Sequence, residues 1–378
     1  MALVKKQAAR LNAVKELFNM NYTFLNRRNF LKTSLLGGTA LAMPWTTSRV
    51  LAAASEPAAA AKTTTATSTS RVAVTAGEDR ADLAFQALKP FAKQVAAAIG
   101  NKRVIIKPNN LVVDRPLAAS DAKNLEGILE FLKSIKKTGN VVIAESPAMG
   151  SAMTGFANYG YDKLATKYGA KLMDLDQGEY ETVYCFDEKD FRPHPCRVAK
   201  SLLDPTSFVI SAAKFKTHDR VVATLSLKNI VVGAPIKRNG GEKAEGGYLG
   251  NSDKPVVHGG GFRGINYNLY ALAAQLHPHL AVIDGYEGME GRGPGNGTPV
   301  NSRVCVASTD WLAADRVSVE LMGIDFAKVG YLNFCAQAGL GEADLAKIEI
   351  VGPALKDYIK TYKLPDNMDQ QMIWMKPA

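Results

Sequence analysis

Short apolar runs separated by amphipathic helical stretches recur along the chain from residue 71 onward. Runs such as Val104-Ile105-Ile106 and Val141-Val142-Ile143-Ala144 contain no alternating polar positions, which is typical of strands covered on both faces. Between them, residues 121–137 repeat apolar positions at helical spacing. Strands that alternate with helices in this way predict an α/β fold, with a mainly parallel, Rossmann-like sheet and helices on both faces.

The same pattern gives approximate positions for the individual elements. The predicted strands are 71–74, 104–106, 141–144, 171–173, 208–210, 280–283, 304–306 and 348–351. The predicted helices are 81–99 (interrupted by Pro90), 121–137, 159–168, 266–276, 311–322 and 326–338. Residues 181–200 predict a β-hairpin insertion. Residues 71–355 therefore form one predicted α/β domain, and residues 356–378 form an irregular C-terminal tail.

A cluster of polar residues directly follows five of the predicted strands. In an open parallel sheet the strand C-termini share one edge, and ligands bind in the crevice there. The alternative is that these polar residues only begin loops, as in any protein. The recurrence of Lys, Asn, Glu and Asp in preference to neutral turn-forming residues favours convergence on one site. The clusters are Lys107-Asn109-Asn110, Glu145-Ser146, Lys214-Lys216-His218, Asp284-Glu287-Glu290 and Ser308-Asp310.

The stretch from Ser207 to Arg238 contains the densest set of candidate residues. It begins as the apolar run Phe208-Val209-Ile210 and then turns polar, with three lysines and a histidine set among Val, Ile and Leu. Because lysine ammonium groups are seldom buried without partners, apolar neighbours favour a cleft wall. A solvated loop with snorkelling lysines is the alternative that this stretch alone leaves open.

These residue types are suited to holding a small anion. Lysine offers a point charge for carboxylate or phosphate, and asparagine can fix the orientation of a ligand. The Gly-rich stretch 288–297 could direct backbone N–H groups at an anion, although it matches neither a P-loop nor a dinucleotide fingerprint. The predicted ligand-binding residues are Lys107, Asn109, Lys214, Lys216, Asn229, Gly291 and Gly293. The predicted catalytic residues are His218 as acid or base, Lys228 and Glu290.

A divalent metal is a further possibility that the sequence raises. His218 and His258 with Asp284 could supply its ligands, provided that the fold brings them together; plain surface positions are the alternative. The chain has no iron–sulfur motif, because none of its four cysteines has the required close spacing. The Gly-rich residues 239–262 predict a mobile loop that could act as a lid.

The charge balance narrows the class of partner. The chain has 378 residues and a formal net charge of +10. Residues 1–54 contain eight of the 46 basic residues and only one of the 36 acidic residues. The rest of the chain therefore has 38 basic and 35 acidic residues. A nucleic-acid-binding domain needs a clustered basic face, and this balance predicts none. We therefore expect a small anionic molecule as the ligand, and no nucleic acid.

Residues 1–54 have the order of a twin-arginine export signal. Arg27-Arg28 precedes Phe30-Leu31-Lys32, an apolar run follows from Leu35 to Met43, and Leu51-Ala52-Ala53-Ala54 supplies small residues for cleavage. The apolar run is too short to span a bilayer stably; a membrane anchor or amphipathic helix is the alternative. The sequence predicts export by the twin-arginine machinery, no stable transmembrane span after cleavage, and a periplasmic or cell-envelope location.

Two further features bear on the predicted domain. Residues 55–70 are rich in Ala, Thr and Ser and lack the large apolar side chains that offset ordering entropy, so they predict a disordered linker. In an oxidising compartment Cys185 and Cys196 could form a disulfide across the hairpin. Buried free thiols are the alternative, and the sequence does not decide between them.

At the residues singled out above, the chain resembles the family catalogued as domain of unknown function 362 (DUF362). The resemblance covers about residues 100 to 320 and implies the same α/β fold and site. Many members carry a C-terminal ferredoxin-like region with iron–sulfur motifs, which this chain lacks. The matching segments are Ile106-Lys107-Pro108-Asn109, Lys214-Phe215-Lys216-Thr217-His218, Ser226-Leu227-Lys228-Asn229 with Gly233, Gly288-Met289-Glu290-Gly291 with Gly293-Pro294, and Ser308-Thr309-Asp310 with Ala314-Asp315.

Together these features lead to two functional hypotheses. The first is an exported enzyme or cofactor-dependent protein that acts on a small carboxylate or phosphate at the C-terminal edge of the sheet. The second is a non-catalytic solute- or metal-binding protein of the cell envelope. The sequence gives neither the substrate nor the reaction.

Overall fold

An open β-sheet organises the part of the chain that the structure describes. The computed structural model describes residues 70–237 and 252–376. The predicted export signal, the predicted linker up to residue 69, and residues 238–251 of the Gly-rich loop lie outside the described residues.

The bounds of the elements are as follows. The strands are β1 (Ser70–Ala76), β2 (Arg103–Lys107), β3 (Val141–Glu145), β4 (Lys171–Asp174), β5 (Tyr180–Asp187), β6 (Arg192–Ala199), β7 (Ser207–His218), β8 (Val222–Thr224), β9 (Leu280–Glu290), β10 (Thr298–Val300), β11 (Val304–Ser308) and β12 (Ile348–Val351). The α-helices are α1 (Arg80–Leu88), α2 (Ala92–Ile99), α3 (Ala122–Ser134), α4 (Ala152–Asn158), α5 (Tyr161–Tyr168), α6 (Ser226–Gly233), α7 (Lys254–Val257), α8 (Phe262–Ala273), α9 (Trp311–Leu321), α10 (Gly330–Gln337) and α11 (Met368–Gln371).

The sheet is mainly parallel, as the sequence predicts. Its order is β12-β1-β11-β9-β7-β2-β3-β4, with β8 paired to β7 and β10 paired to β9. The pairs β7–β9, β2–β7, β2–β3 and β3–β4 are all parallel. Strands β5 and β6 form a separate antiparallel hairpin, which confirms the predicted insertion.

Helices cover both faces of the sheet, as the continuous apolar strands require. On one face, Leu83 and Leu129 belong to a buried cluster that includes Ile106 of β2. On the other face, Ile230 and Val317 pack with Ile105 of the same strand. Alternate residues of one strand thus feed two separate cores, which explains why β2 contains no exposed polar position after its first residue.

Strand β11 runs antiparallel to its neighbours β9 and β1, which corrects one prediction about the site. Ser308 pairs with Ala281 near the start of β9, so the Ser308–Asp310 cluster lies at the edge opposite the C-termini of the parallel strands. Strand β10 already runs antiparallel to β9, and the three residues 301–303 lead directly into β11, which continues in the same direction. Asp310 instead caps helix α9.

Strands β7 and β9 are longer than their apolar runs predict. The sequence predicts ends near Ile210 and Ile283, whereas β7 continues to His218 and β9 to Glu290. Strands β8 and β10 pair with these extensions, so all of β7 is buried. The lysines of β7 are therefore held in a sheet and not in a solvated loop.

Several helix boundaries also shift. The helix predicted over 81–99 is divided by a 3-10 turn at Lys89–Phe91, because proline cannot continue an α-helical hydrogen-bond ladder. The helix predicted over 266–276 begins earlier, at Phe262. Part of the Gly-rich stretch forms the short helix α7.

The C-terminal tail contains short helices and packs onto the body. Helix α11 is followed by a 3-10 helix, Met372–Met375. The fully buried Gln371 accepts a hydrogen bond from Val222 N at 2.7 Å. Lys363 N donates to Glu290 Oε2 at 2.7 Å. These long-range contacts, which local propensity does not encode, order the segment predicted to be irregular.

The two hairpin cysteines are free thiols in the structure. Cys185 and Cys196 are buried, and a hydrogen bond between their sulfurs lowers the pKa of Cys185 while it raises that of Cys196. Cys305 and Cys335 are also free and buried. No helix within residues 70–237 and 252–376 combines the length and hydrophobicity needed to cross a bilayer.

A buried carboxyl fixes the start of helix α6. Asp315 on α9 accepts hydrogen bonds from Ser226 N at 2.8 Å and Leu227 N at 3.1 Å. Burial raises the pKa of Asp315 to about 7, and the two backbone hydrogen bonds act in the opposite direction. The carboxyl therefore holds N–H groups that have no partner within the helix.

We predict that Asp315→Ala lowers the free energy of unfolding by about 2–5 kcal/mol, because two buried N–H groups lose their acceptor. Asp315→Asn, which keeps one oxygen, is expected to cost less. Chemical denaturation measures both values. Asp325→Asn, which alters an exposed cap, serves as the control and is expected to cost about 1 kcal/mol or less.

The pH dependence gives a second readout for the same residue. A carboxyl whose pKa is raised from 3.8 to about 7 by folding stabilises the protein below the unfolded pKa, and this contribution is lost as the pH rises through 7. The stability of Asp315→Asn relative to the parent protein is therefore expected to increase from pH 4 to pH 7. A constant difference across this range would contradict the raised pKa.

Candidate functional site

A polar cleft opens where the parallel strands end. Strands β2 and β3 end at Lys107 and Glu145, whereas β7 continues beyond them. Helix α6 lines the space that the shorter strands leave beside β7. The cavity has a volume of about 50 Å³, which is on the scale of a few water molecules. Its polar side chains are Lys107, Asn109, Asn110, Glu145, Ser146, Lys216, Thr224, Lys228, Asn229 and Lys254.

A buried ion pair forms the floor of the cleft. Lys107 Nζ lies 2.6 Å from Glu145 Oε1, and both side chains are 1% exposed. The same ammonium donates to Pro108 O at 3.0 Å and Asn229 Oδ1 at 3.2 Å. All three of its donors are therefore in use, so Lys107 organises the site and has no free N–H for a ligand.

Glu145 has three hydrogen-bond donors of its own protein around it. Besides Lys107, it accepts Ser146 N at 2.8 Å on one oxygen and Asn110 N at 2.8 Å on the other. These bonds tie the ends of β2 and β3 together. The carboxylate is a structural counterion, which the sequence placed at this edge without assigning it a role.

Asn229 connects the helix to the strand ends. Its Nδ2 donates to Lys107 O at 3.1 Å and Ser211 Oγ at 3.0 Å. Its Oδ1 accepts from Asn109 Nδ2 at 3.0 Å as well as from Lys107. The predicted ligand-binding residues Asn109 and Asn229 are thus part of the wall, and Asn229 is fully engaged in holding it.

Gly233 lets the lysine of the floor pass beneath helix α6. A Cβ at this position would overlap Lys107 Cε and Nζ. Only glycine leaves space for that close approach, which gives a physical reason for Gly233 in the segment that begins at Ser226.

Lys216 lies on the opposite wall. Its ammonium donates to Asn109 Oδ1 and, at 2.6 Å, to Ala118 O. Burial holds its pKa well below the usual value, and the nearby charges of Lys214 and Lys228 act in the same direction. In its ammonium form two of the three donors are used, which leaves one for a ligand.

Lys254 closes the far end of helix α6. Its amine donates to Pro235 O at 2.8 Å, with longer contacts to Gly233 O at 3.3 Å and Val232 O at 3.4 Å. Burial lowers its pKa to about 7. Sequence reasoning missed Lys254 because it follows a Gly-rich stretch; its apolar neighbours Val256 and Val257 were the available signal.

Lys228 differs from the other three lysines. It lies in the first turn of α6 and lines the cleft. Its amine forms no hydrogen bond or ion pair with any residue in 70–237 or 252–376. Burial lowers the pKa of Lys228 to about 8, while the charge of Asp219 raises it. The cleft therefore presents one amine that nothing in its own wall engages.

The two predicted metal-binding histidines lie near Lys228. Burial lowers the pKa of His218 well below its usual range and that of His258 to about 4, and the charge of Lys228 lowers both further. His218 Nδ1 accepts Arg220 N at 3.0 Å, and His258 Nδ1 lies 2.8 Å from Lys254 O. Both rings are therefore neutral, with Nε2 protonated in His218 and unprotonated in His258.

The carboxylate of Asp219 also lies close to the ring of His218. Its Oδ1 lies 3.3 Å from His218 Nδ1. Because that nitrogen accepts the Arg220 N–H and the ring is neutral, His218 and Asp219 do not form an ion pair. Neither histidine is part of the cleft wall, although the charge of Lys228 reaches both of them.

Lys214 and Asp284 form a separate buried cluster. They are register partners in β7 and β9. Burial raises the pKa of Asp284 to about 6, against the charges of Lys214 and Arg80. Arg80 Nε lies 3.6 Å from Asp284 Oδ2. Neither of these two predicted residues lines the cleft. The positive charges of Lys214 and Arg80 instead lie close to the carboxyl of Asp284.

The predicted residues at the end of β9 are also outside the cleft wall. Glu290 is held by Lys363 N, as described above. Gly291 N donates to Lys363 O at 2.7 Å, and Gly293 N donates to Gly291 O at 2.8 Å. Both glycine N–H groups are occupied, so they do not form the predicted anion cradle; Pro294 is the residue of this loop that reaches the wall.

The predicted metal ligands do not form one group. His218 and His258 are neighbours, whereas Asp284 is bound within the Lys214 cluster. Among the residues that the structure describes, no group of three His, Cys, Asp or Glu side chains has the geometry to hold a metal ion. Metal binding remains a prediction that would need other ligands.

A larger cavity of about 370 Å³ lies elsewhere, between the hairpin, helices α8 and α10 and the tail. Aromatic rings dominate it, with two cationic side chains. It contains none of the charges that follow the parallel strands. Its lining residues are Phe186, Arg263, Tyr267, Phe334, Trp374 and Lys376.

Comparison with known proteins found a family match that spans the cleft. Residues 104–320 match the family described as domain of unknown function (DUF362), and this range includes every residue of the cleft wall. The chain is also similar to the thylakoid-associated protein sll1697 of Synechocystis sp.. The two are 27% identical over 240 residues, which cover 63% of this chain and 68% of the relative.

We predict strong coupling between Lys107 and Glu145. Lys107→Met or Glu145→Leu alone is expected to lower the free energy of unfolding by about 3–5 kcal/mol, because each leaves an uncompensated buried charge. The double variant is expected to lose much less than the sum. Denaturation of all four proteins measures the coupling.

The exposed pair Lys167–Glu126 provides the control, since it has the same 2.6 Å separation. Solvent screening is expected to reduce its coupling to about 1 kcal/mol or less. Equal coupling in the two pairs would show that burial of the Lys107–Glu145 pair is unimportant.

Proposed function

The chain belongs to the DUF362 family, and from that premise we propose that its cleft binds a small anionic molecule that bears a carboxylate or phosphate. The observation that carries the proposal is the charge of the wall. Four lysines line it, and among the described residues the lining includes one carboxylate, Glu145, which Lys107 already neutralises. An anion would supply the missing negative charge.

Lys216 and Lys228 are the proposed contacts to the anion. Lys216 has one donor left, and Lys228 has no partner in the described chain. Charge-assisted hydrogen bonds from these two amines would hold two oxygens of one ligand. Lys107 and Lys254 instead preserve the shape of the cleft through bonds to the protein.

The proposed function is that of an enzyme or cofactor-dependent protein in which Lys228 is a reactive group. Its pKa of about 8 lets it exchange a proton near neutral pH. His218 would act as an acid or base only through Lys228, because it is not part of the cleft wall.

The alternative is a non-catalytic solute-binding protein of the cell envelope. The observation that favours it is that Glu145, the carboxylate in the described lining, is buried in an ion pair with Lys107 and accepts two backbone N–H groups, so it is not a free base. A binder would release its ligand unchanged, whereas an enzyme would convert it. Proton NMR of the ligand after incubation distinguishes the two.

We predict that Lys228→Met and Lys216→Met each weaken binding of inorganic phosphate and lactate. Loss of one charge-assisted hydrogen bond costs about 1.5–3 kcal/mol, or roughly 10- to 150-fold in Kd. Isothermal titration calorimetry measures the effect. Lys163→Met, on the exposed face of α5, is the control and is expected to bind normally.

The affinity is also expected to depend on pH. Lys228 is protonated below its pKa of about 8 and loses its charge above it, so affinity for either anion should fall as the pH rises through 8. This decrease should disappear in Lys228→Met. Unchanged phosphate and lactate affinities in both lysine variants would remove the basis for an anion site.

We also propose that the chain is exported by the twin-arginine route to the periplasm or cell envelope. The support is the leader sequence and, more loosely, the thylakoid association of the Synechocystis relative. Replacement of Arg27 and Arg28 by lysine in the full chain is expected to leave an uncleaved precursor in the cytoplasmic fraction, detected by immunoblot. Replacement of Lys5 and Lys6 by arginine should not affect export. Normal export of the first variant would exclude this route.

A further inference from the structure

The amine of Lys228 is placed differently from a residue that only holds an anion. The other three lysines of the cleft bind protein oxygens through two or three hydrogen bonds each. Lys228 has no such partner in residues 70–237 and 252–376. It is nevertheless only 5% exposed, so its terminal nitrogen reaches the cleft while its stem is packed.

The backbone around Lys228 is held rigidly. Asp315 fixes the first N–H groups of α6, and Lys254 binds the carbonyl groups at its end. The next residue, Asn229, is locked to both β2 and β7. A rigid helix gives the Lys228 side chain a fixed point of attachment in the cleft that Lys216 also lines, which favours preorganised chemistry.

Burial is the main influence on the amine of Lys228, and the charge of Asp219 acts against it. The charge of Lys228 affects Lys216, His218 and His258, and both histidines are neutral. The facing groups on the neighbouring elements are Lys216 on β7, Lys254 on α7 and, beyond His218, the half-exposed Asp219. A lysine that burial desolvates in this way is in the state that favours a neutral, nucleophilic amine.

On this basis we propose that Lys228 forms an imine with a small anion that carries an aldehyde or ketone group, such as a 2-oxo carboxylate or an aldehyde phosphate. The inference rests on the proposed anion site and specifies its substrate class. Lys216 would bind the carboxylate or phosphate oxygens, and Lys228 would attack the carbonyl carbon.

The step is balanced within the site and the ligand. The Nζ lone pair forms the C–N bond, and one of the two Nζ protons moves to the carbonyl oxygen, which gives a carbinolamine. The second Nζ proton and the hydroxyl group then leave as water, and the C=N bond forms. No oxidant or reductant is consumed, and hydrolysis reverses the reaction. The imine, once protonated, withdraws electrons from the adjacent carbon, which is the usual purpose of such an intermediate.

Reductive trapping tests the inference. The full chain is incubated with pyruvate or with glyceraldehyde 3-phosphate in the presence of sodium cyanoborohydride, and tryptic peptides are analysed by mass spectrometry. We expect one reduced adduct at Lys228, in excess of that at the exposed Lys163 by about tenfold or more, because an ordinary lysine with a pKa of about 10.4 is mostly protonated.

The rate of trapping should rise with pH up to about 8 and then level off, following the pKa of Lys228. Lactate and inorganic phosphate, which have the anionic group without the carbonyl, should compete. Lys228→Arg should lose the adduct while it keeps the melting temperature. Lys216→Met should reduce trapping but leave the site of modification unchanged.

Four results would overturn the inference. Adducts spread over surface lysines without preference for Lys228, or trapping that persists in Lys228→Arg, would show ordinary surface chemistry. Binding of phosphate and lactate through Lys228 without any adduct from either carbonyl probe would leave the anion site intact and reject the imine. Failure of all four probes to bind would reject the proposed function itself.

Discussion

Helix α6 is held at both ends by buried ionisable side chains, and the cleft depends on that arrangement. Asp315 accepts the N–H groups of the first turn, and Lys254 donates to the carbonyl groups of the last. A helix of eight residues is too short to be stable through propensity alone. Both contacts also have the sign that the helix dipole favours.

This arrangement makes the helix a rigid carrier for chemistry. Lys228 and Asn229 lie next to each other on it, but their surroundings divide their roles. Asn229 is bound to the strand ends, and Lys228 is left with its amine in the cleft. The same two contacts fix the backbone of both residues, and the stem of Lys228 leads from there to the cleft.

The remaining lysines show how one residue type can serve different purposes. Lys107 has its charge cancelled by Glu145, and Lys214 lies against Asp284 outside the cleft. Buried charges are tolerated when they are paired. Lys216 and Lys228 are not paired in this way within the described residues, so the uncompensated charge is concentrated on two sides of one small cavity. That imbalance supports the proposal of an anionic ligand more directly than the number of lysines does.

The order of apolar strands and helices was sufficient to predict the α/β sheet, because a strand buried on both faces must be apolar throughout. The same reasoning placed Lys107, Lys216, Lys228 and Asn229 near one edge. It failed for Ser308–Asp310, since a strand's direction depends on its connection, and for Glu290, which the tail holds outside the cleft. Saturation of Lys107, the free amine of Lys228 and the role of Lys254 were decided by tertiary structure. Partners far apart in the chain determine which hydrogen bonds are made and how much water each charge loses, and local sequence specifies neither.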